Sequence, residues 1–241
     1  MKNSILVIIF SALFFTTIAN AQWSNKKVKG NGKVVTEKRM TAGYDEINVS
    51  GFFDVLLVSG AEGTISIKGE GNLLPYIKVE VEGNVLKIYT DKNINISTNK
   101  NIILTVPFDQ ISLVSLSGSG DLKSKNTIVG SKFVAKLSGS GDMTLDVKTT
   151  DFEANISGSG DVVLTGNSDN FTFKISGSGD VDAANLIAKK SNLTISGSGD
   201  MKVNCIESLI ARVSGSGNIS YKGNPDIKDT KVSGSGEIVK M

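Results

Sequence analysis

Two stretches of the chain decide its fold: Ile156-Ser157-Gly158-Ser159-Gly160-Asp161-Val162 and, nineteen residues later, Ile175-Ser176-Gly177-Ser178-Gly179-Asp180-Val181. The core SGSGD recurs at Ser117–Asp121, Ser138–Asp142 and Ser196–Asp200, and it ends in two variants, SGSGN at 214–218 and SGSGE at 233–237. Successive first serines lie 21, 19, 19, 20, 18 and 19 residues apart. The seven copies hold 14 of the 26 glycines, so the glycine excess belongs to one ordered motif rather than to a flexible linker. The residue before each copy is Leu116, Leu137, Ile156, Ile175, Ile195, Val213 or Val232, and the one after the acidic position is Leu122, Met143, Val162, Val181, Met201, Ile219 or Ile238. All fourteen are apolar.

Alternation continues outward from the motif, as in Phe171, Phe173, Ile175 and in Met143, Leu145, Val147. A period of two is the mark of strands with one buried face. Strand pairs repeated every nineteen or so residues, with equivalent positions in register, predict a parallel β-helix or β-solenoid. In such a fold each repeat is one coil, and stacking buries a continuous column of Leu, Ile, Val and Met. A propeller blade needs four strands and roughly 40 residues, about twice what is present. The expected fold is therefore all-β, with about seven C-terminal coils and an irregular β-rich N-terminal half.

Carried through the motif, the alternation turns both glycines inward, where a side chain would crowd the core. It turns Ser, Ser and Asp outward as ladders. Asp121, Asp142, Asp161, Asp180 and Asp200 then form an acidic column with a pitch of about 4.8 Å. That column admits two readings beyond a passive surface. The first is calcium binding, although Ca²⁺ takes six to eight oxygens and the calcium-binding nonapeptide roll places its Asp differently, as GGxGxDxUx. The second is a polysaccharide-active enzyme, because retaining glycosidases hold two carboxylates about 5–5.5 Å apart. Coils of 18–21 residues leave no long loops to wall a cleft. A glycine loop for phosphate needs a following helix, and here a strand follows.

Composition narrows the chemistry further. The chain has no histidine, one cysteine and two arginines, Arg39 and Arg212, and a formal net charge of +2. Histidine is the usual general base and metal ligand, and a lone cysteine builds neither an intrachain disulfide nor a zinc site. Near-neutrality gives no electrostatic case for nucleic acid. The reading is no enzyme, no cofactor, no catalytic or metal residue, and no ligand-binding residue identifiable from sequence. Cys205, in phase with Met201 and Val203, reads as a small buried hydrophobe.

Residues 1–21 read as a secretory signal peptide: Lys2, then the apolar run Ile5–Ile18, then Ala19-Asn20-Ala21 as a small-x-small site. Cleavage is expected between Ala21 and Gln22, which leaves an extracytoplasmic chain with no membrane-spanning helix. Residues 22–40 read as a basic, solvated leader and first edge strand. Residues 41–241 read as a single solenoid domain, irregular over 41–116 and repetitive over 117–241. Glu82-Gly83-Asn84 reads as a hairpin, Asn72–Ile77 as a short helical turn, and Val49–Val55 as an atypical starting coil in which Phe52 and Phe53 replace Ser and Gly.

The order GYDEINVSGFFDV (43–55), NLLPYIKVEVEGNVLKIYT (72–90), a strand ending in Val106-Pro107, and then SGSGD repeats resembles the family called putative auto-transporter adhesin, head GIN domain. The likeness runs from about Lys33 to the C-terminus and is strongest over Gly43–Asp121. It implies a β-helix-like fold, an extracytoplasmic place in Bacteroidetes-type bacteria and no catalytic residue. An auto-transporter's membrane barrel would show strands of about ten alternating residues, whereas SGSGD-type repeats run to the end of this sequence. The function expected is an adhesive, binding or scaffolding module at the cell envelope, with a surface protein or glycan as its partner.

Overall fold

The structure is a computed structural model that describes residues 26–241. The leader reading, with its cleavage site at Ala21 and Gln22, falls outside the described residues. Among the described residues nineteen strands follow one another: β1 Lys26–Lys29, β2 Val34–Met40, β3 Glu46–Gly51, β4 Asp54–Ser59, β5 Thr64–Glu70, β6 Ile77–Glu82, β7 Val85–Thr90, β8 Ile94–Ser97, β9 Ile103–Phe108, β10 Leu113–Gly118 and β11 Leu122–Ser124. Then come β12 Ile128–Gly139, β13 Met143–Gly158, β14 Val162–Gly177, β15 Val181–Gly197, β16 Met201–Gly215, β17 Ile219–Lys222, β18 Ile227–Gly234 and β19 Ile238–Lys240.

From β10 onward every pairing is parallel and in the register set by the motif. Gly118, Gly139, Gly158, Gly177, Gly197, Gly215 and Gly234 each stand directly on the one before. This is the β-solenoid that the repeat predicts. Each long strand from β13 to β16 holds two straight runs joined by a corner. In β13 the alternation slips at Thr150-Asp151, where two successive residues are exposed. Coils of unequal length absorb their extra residues after the motif, between Ala183 and Lys190, so the motif itself never leaves register.

The core is a set of axial columns. Phe133, Phe152 and Phe171 stack with ring centroids 5.7 and 5.5 Å apart, and Phe173 meets Phe171 edge-on at 5.6 Å. Offset aromatic pairs of this kind contribute about 0.5–1.5 kcal/mol beyond their buried area. The column then passes to Ser191, whose buried hydroxyl has no partner, and to Leu209. Cys205 is fully buried and its thiol donates to the carbonyl of Ser208 at 3.0 Å, in keeping with the hydrophobe reading.

The N-terminal half contains the elements expected of it in an order that the sequence did not disclose. The hairpin forms, β6 pairing antiparallel with β7 across Gly83 at φ +64°, and the helical turn is a 3-10 turn over Leu74–Tyr76. Val49–Val55 is a coil in full register, Gly51 on Gly118 and Val55 on Leu122. It is not the end of the stack, however. β7 and β9 pair in parallel with its other side, so residues 85–108 stack outside a coil that precedes them in sequence. Beyond them, β5 pairs antiparallel with β9 and β2 with β5. Antiparallel strands end the parallel ladder at this pole. Arg39, expected in a solvated leader, is instead largely buried: its guanidinium donates to the carbonyls of Leu74 (2.7 Å) and Ile77 and so closes the 3-10 turn.

Candidate functional site

The outward flank of the motif is where the sequence concentrates its polar pattern. Both serines and the Asp of each SGSGD copy are exposed, as expected. The glycines call for a correction. The second of each pair is buried, but the first is part-exposed, and what excludes a side chain at both is backbone rather than core. A Cβ on Gly158 would stand 2.1 Å from the carbonyl oxygen of Gly139, and one on Gly160 would stand 1.9 Å from that of Gly141. Gly158 also has φ +133°, a region open essentially to glycine alone. The glycines therefore permit backbone to lie on backbone along the axis.

The acidic column is wired along the same axis. Asp161 donates its backbone N–H to Oδ1 of Asp142 (2.9 Å), Asp180 to Asp161 (2.8 Å) and Asp200 to Asp180 (2.8 Å). The chain of bonds begins at Asp54, which accepts from Asp121, and ends where Glu237 donates to Oδ1 of Asn218 at 3.0 Å. At the corner the strand ladder lapses, and the carboxylate of one coil supplies the acceptor that the next coil's N–H lacks. A side chain for this position must be short and must carry an oxygen, which Asp and Asn both do. The variant SGSGN is thereby explained.

One oxygen of each Asp is thus spent on structure. Among the described residues no three acidic or thiol side chains converge as a metal cage. Asp161, Asp180, Asp182 and Asp200, with Val163 and Lys202, line a shallow groove of about 260 Å³ beside the column. By contrast, none of the fourteen motif serine hydroxyls is hydrogen-bonded to another protein group among the described residues. They form two exposed columns with their bonding capacity free.

Two further acidic places were not visible in the sequence. An open cleft of about 840 Å³ is lined by Asp45, Glu62 and Asp109 with Ser59 and Gln110. Glu62 accepts the N–H of Tyr44 at 2.8 Å, and the phenol of Tyr44 is buried and donates to the carbonyl of Pro107. Burial, with the nearby charge of Glu62, pushes that phenol's pKa up. The second place is Glu70, which is fully buried and has no cationic partner among the described residues. Its carboxylate accepts the N–H of Asn99 (2.8 Å), the hydroxyl of Thr98 (2.7 Å) and the N–H of Gly32, and those bonds outweigh burial to lower its pKa to about 2. A Cβ on Gly30 would fall 2.1 Å from the carboxylate and force it to shift from its hydrogen bonds. The sequence signal was faint: a charged residue between Gly69 and Gly71 at the end of an alternating strand.

Fold and flank together define a class: a rigid parallel β-solenoid that presents axial ladders of small polar side chains. Residues 43–225 match the family described as putative auto-transporter adhesin, head GIN domain, and the chain belongs to that family. Among solved structures, one described as a putative adhesin from Bacteroides fragilis NCTC 9343 shares the fold at TM-score 0.83 and 24% identity, covering 89% of this chain and 100% of the other. A structure described as a putative lipid binding protein from Parabacteroides distasonis ATCC 8503 aligns at TM-score 0.76 and 28% identity over 90% and 100% of the two chains. A putative adhesin from Parabacteroides merdae ATCC 43184 aligns at TM-score 0.72 and 25% identity over 90% and 99%. A search of curated proteins gave no match. Among the described residues no helix is long and apolar enough to cross a membrane.

Proposed function

We propose that the protein is a non-catalytic, exported binding module that acts adhesively at the cell envelope. The observation that carries this reading is the division of labour on the solenoid flank. The Asp Oδ1 atoms are consumed in holding coil to coil, while the serine hydroxyls beside them stand exposed at a fixed pitch with no internal partner. A rigid ladder of donors and acceptors binds by matching an extended partner over many weak contacts, and pre-organisation spares the ordering cost of such a surface. The partner proposed is an envelope protein or glycan. Export follows from the leader: residues 1–21 act as a signal peptide and are removed between Ala21 and Gln22. Residues 41–241 then work as one domain, without cofactor or metal.

Intact-mass measurement of exported protein is expected to give Gln22, or its cyclised form, as the N-terminus; a chain that keeps Lys2 overturns export by cleavage. For binding, the exported protein is immobilised and exposed to solubilised envelope from its own host. Specific capture that is weakened when Ser140, Ser159 and Ser178 are all replaced by bulky Gln supports the reading. Capture unchanged by those replacements removes the serine flank from it.

A further inference from the structure

One outward column on the serine face has a period of its own. Strand register stacks Ser115, Lys136, Asn155, Lys174, Thr194 and Arg212 on six successive coils. Cation and uncharged polar residue alternate strictly along it. Each member stands two residues before the first serine of its SGSGD-type motif, on the same side of the strand. The two columns therefore run side by side, about 6.6 Å apart. Lys136 and Lys174 are exposed, and among the described residues neither takes part in an ion pair. Glu153, on the coil between them, instead accepts from the side chain of Asn155 at 3.0 Å. Arg212, at the end of the run, is already paired with Asp229.

On the reading that the serine flank is the binding surface, we propose that its partner is an acidic polysaccharide with one carboxylate per disaccharide. The chain lies along the solenoid axis, with Lys136 and Lys174 as its anion contacts. The free lysines are two coils apart, about 9.6 Å, while the serine hydroxyls repeat at every coil. An extended, equatorially linked polysaccharide advances by close to one coil per sugar. Alternate sugars in such a chain turn opposite edges to the same side, so equivalent groups recur at every second sugar. One carboxylate per disaccharide thus meets each lysine, and ring hydroxyls meet the serines between. Beyond the second serines the Asp column repels anions, which turns the carboxylate edge toward the lysines. A single nucleic-acid strand matches less well. It carries a phosphate on every residue, and neither column holds an aromatic side chain between β10 and β16 on which a base could stack.

The test titrates the exported protein calorimetrically with a hyaluronan hexasaccharide, which carries one carboxylate per disaccharide. The same sugar with its carboxylates reduced to alcohols serves as the neutral probe. The acidic sugar is expected to bind and the reduced one to bind at least about tenfold more weakly. Lys136→Gln with Lys174→Gln is expected to weaken binding of the acidic sugar about tenfold, as the loss of two exposed ion pairs gives. A control, Lys123→Gln with Lys148→Gln, removes the same charge beyond the motif and is expected to change nothing. No binding of the acidic sugar, equal binding of the reduced one, or a double variant that binds like the wild type overturns the proposal. So does tighter binding of a single-stranded oligonucleotide through the same two lysines. None of these results decides whether the serine flank binds at all, which envelope capture with Ser140, Ser159 and Ser178 replaced tests separately.

Discussion

The Asp column makes one prediction that separates its structural role from its charge. Asp161 accepts the N–H of Asp180 at 2.8 Å and lies between Asp142 and Asp180. Two unit charges at the coil spacing of about 4.8 Å repel by about 0.9 kcal/mol in water. Physiological salt, with a screening length of about 8 Å, cuts this to about 0.5 kcal/mol per neighbour, hence about 1 kcal/mol for the two. Asp161→Asn removes that repulsion and keeps an acceptor oxygen, as Asn218 does natively toward Glu237. Loss of charge assistance in the hydrogen bond works the other way, so the net change is between about 0 and +1 kcal/mol in stability. Asp161→Ala removes the same repulsion but orphans an N–H, for which helix N-caps, with their like geometry, give a cost of about 0.5–2 kcal/mol. The Asn variant should therefore exceed the Ala variant by about 1 kcal/mol. For a chain of this size that difference corresponds to about 2–4 °C in Tm. Paired thermal melts, checked by urea titration with equal slopes, read it directly. An Ala variant as stable as the Asn variant, or more stable, would refute the idea that the carboxylate is the corner's hydrogen-bond acceptor.

Three other outcomes follow from the same geometry. Gly158→Ala is expected to destabilise by about 2 kcal/mol or more in chemical denaturation, since it combines a forbidden backbone conformation with a collision on the Gly139 carbonyl, whereas Ser159→Ala should stay within about 0.5 kcal/mol. Glu70 has a folded-state pKa of about 2, below its ordinary 4.5, so its contribution is present above pH 4.5 and is lost as pH falls toward 2; Glu70→Gln should lower Tm at pH 7, flatten that acid limb and speed hydrogen exchange across Lys26–Lys29. Millimolar Ca²⁺ should raise Tm no more than Mg²⁺ does, and a calcium-specific rise of many degrees that is abolished by Asn at 142, 161 and 180 would show a metal-ordered column instead.

What the sequence by itself determined is the coil and its register wherever the motif repeats, though not why each glycine is there. Strand alternation on both sides of SGSGD, at intervals of 18–21 residues, was enough to specify coils, their register, the inward side of Phe171, Phe173 and Ile175, and the exposure of the serines and Asp. In a solenoid each coil contacts only its neighbours, so local pattern and tertiary neighbour carry the same information. Where the repeat ceases, that equivalence fails. Nothing periodic told that residues 85–108 would stack outside Val49–Val55 or that Arg39 would reach back to Leu74. Nor did anything tell that Glu70 would be sealed under Gly30 by Asn99 and Thr98. Those contacts join segments far apart in sequence, and only the closed chain brings them together. The motif itself shows the boundary finely. Alternation placed Gly158 and Asp161 on their strands, but the reason for each residue lies in the next coil, where Gly158 rests against a carbonyl and the carboxylate of Asp161 receives an N–H.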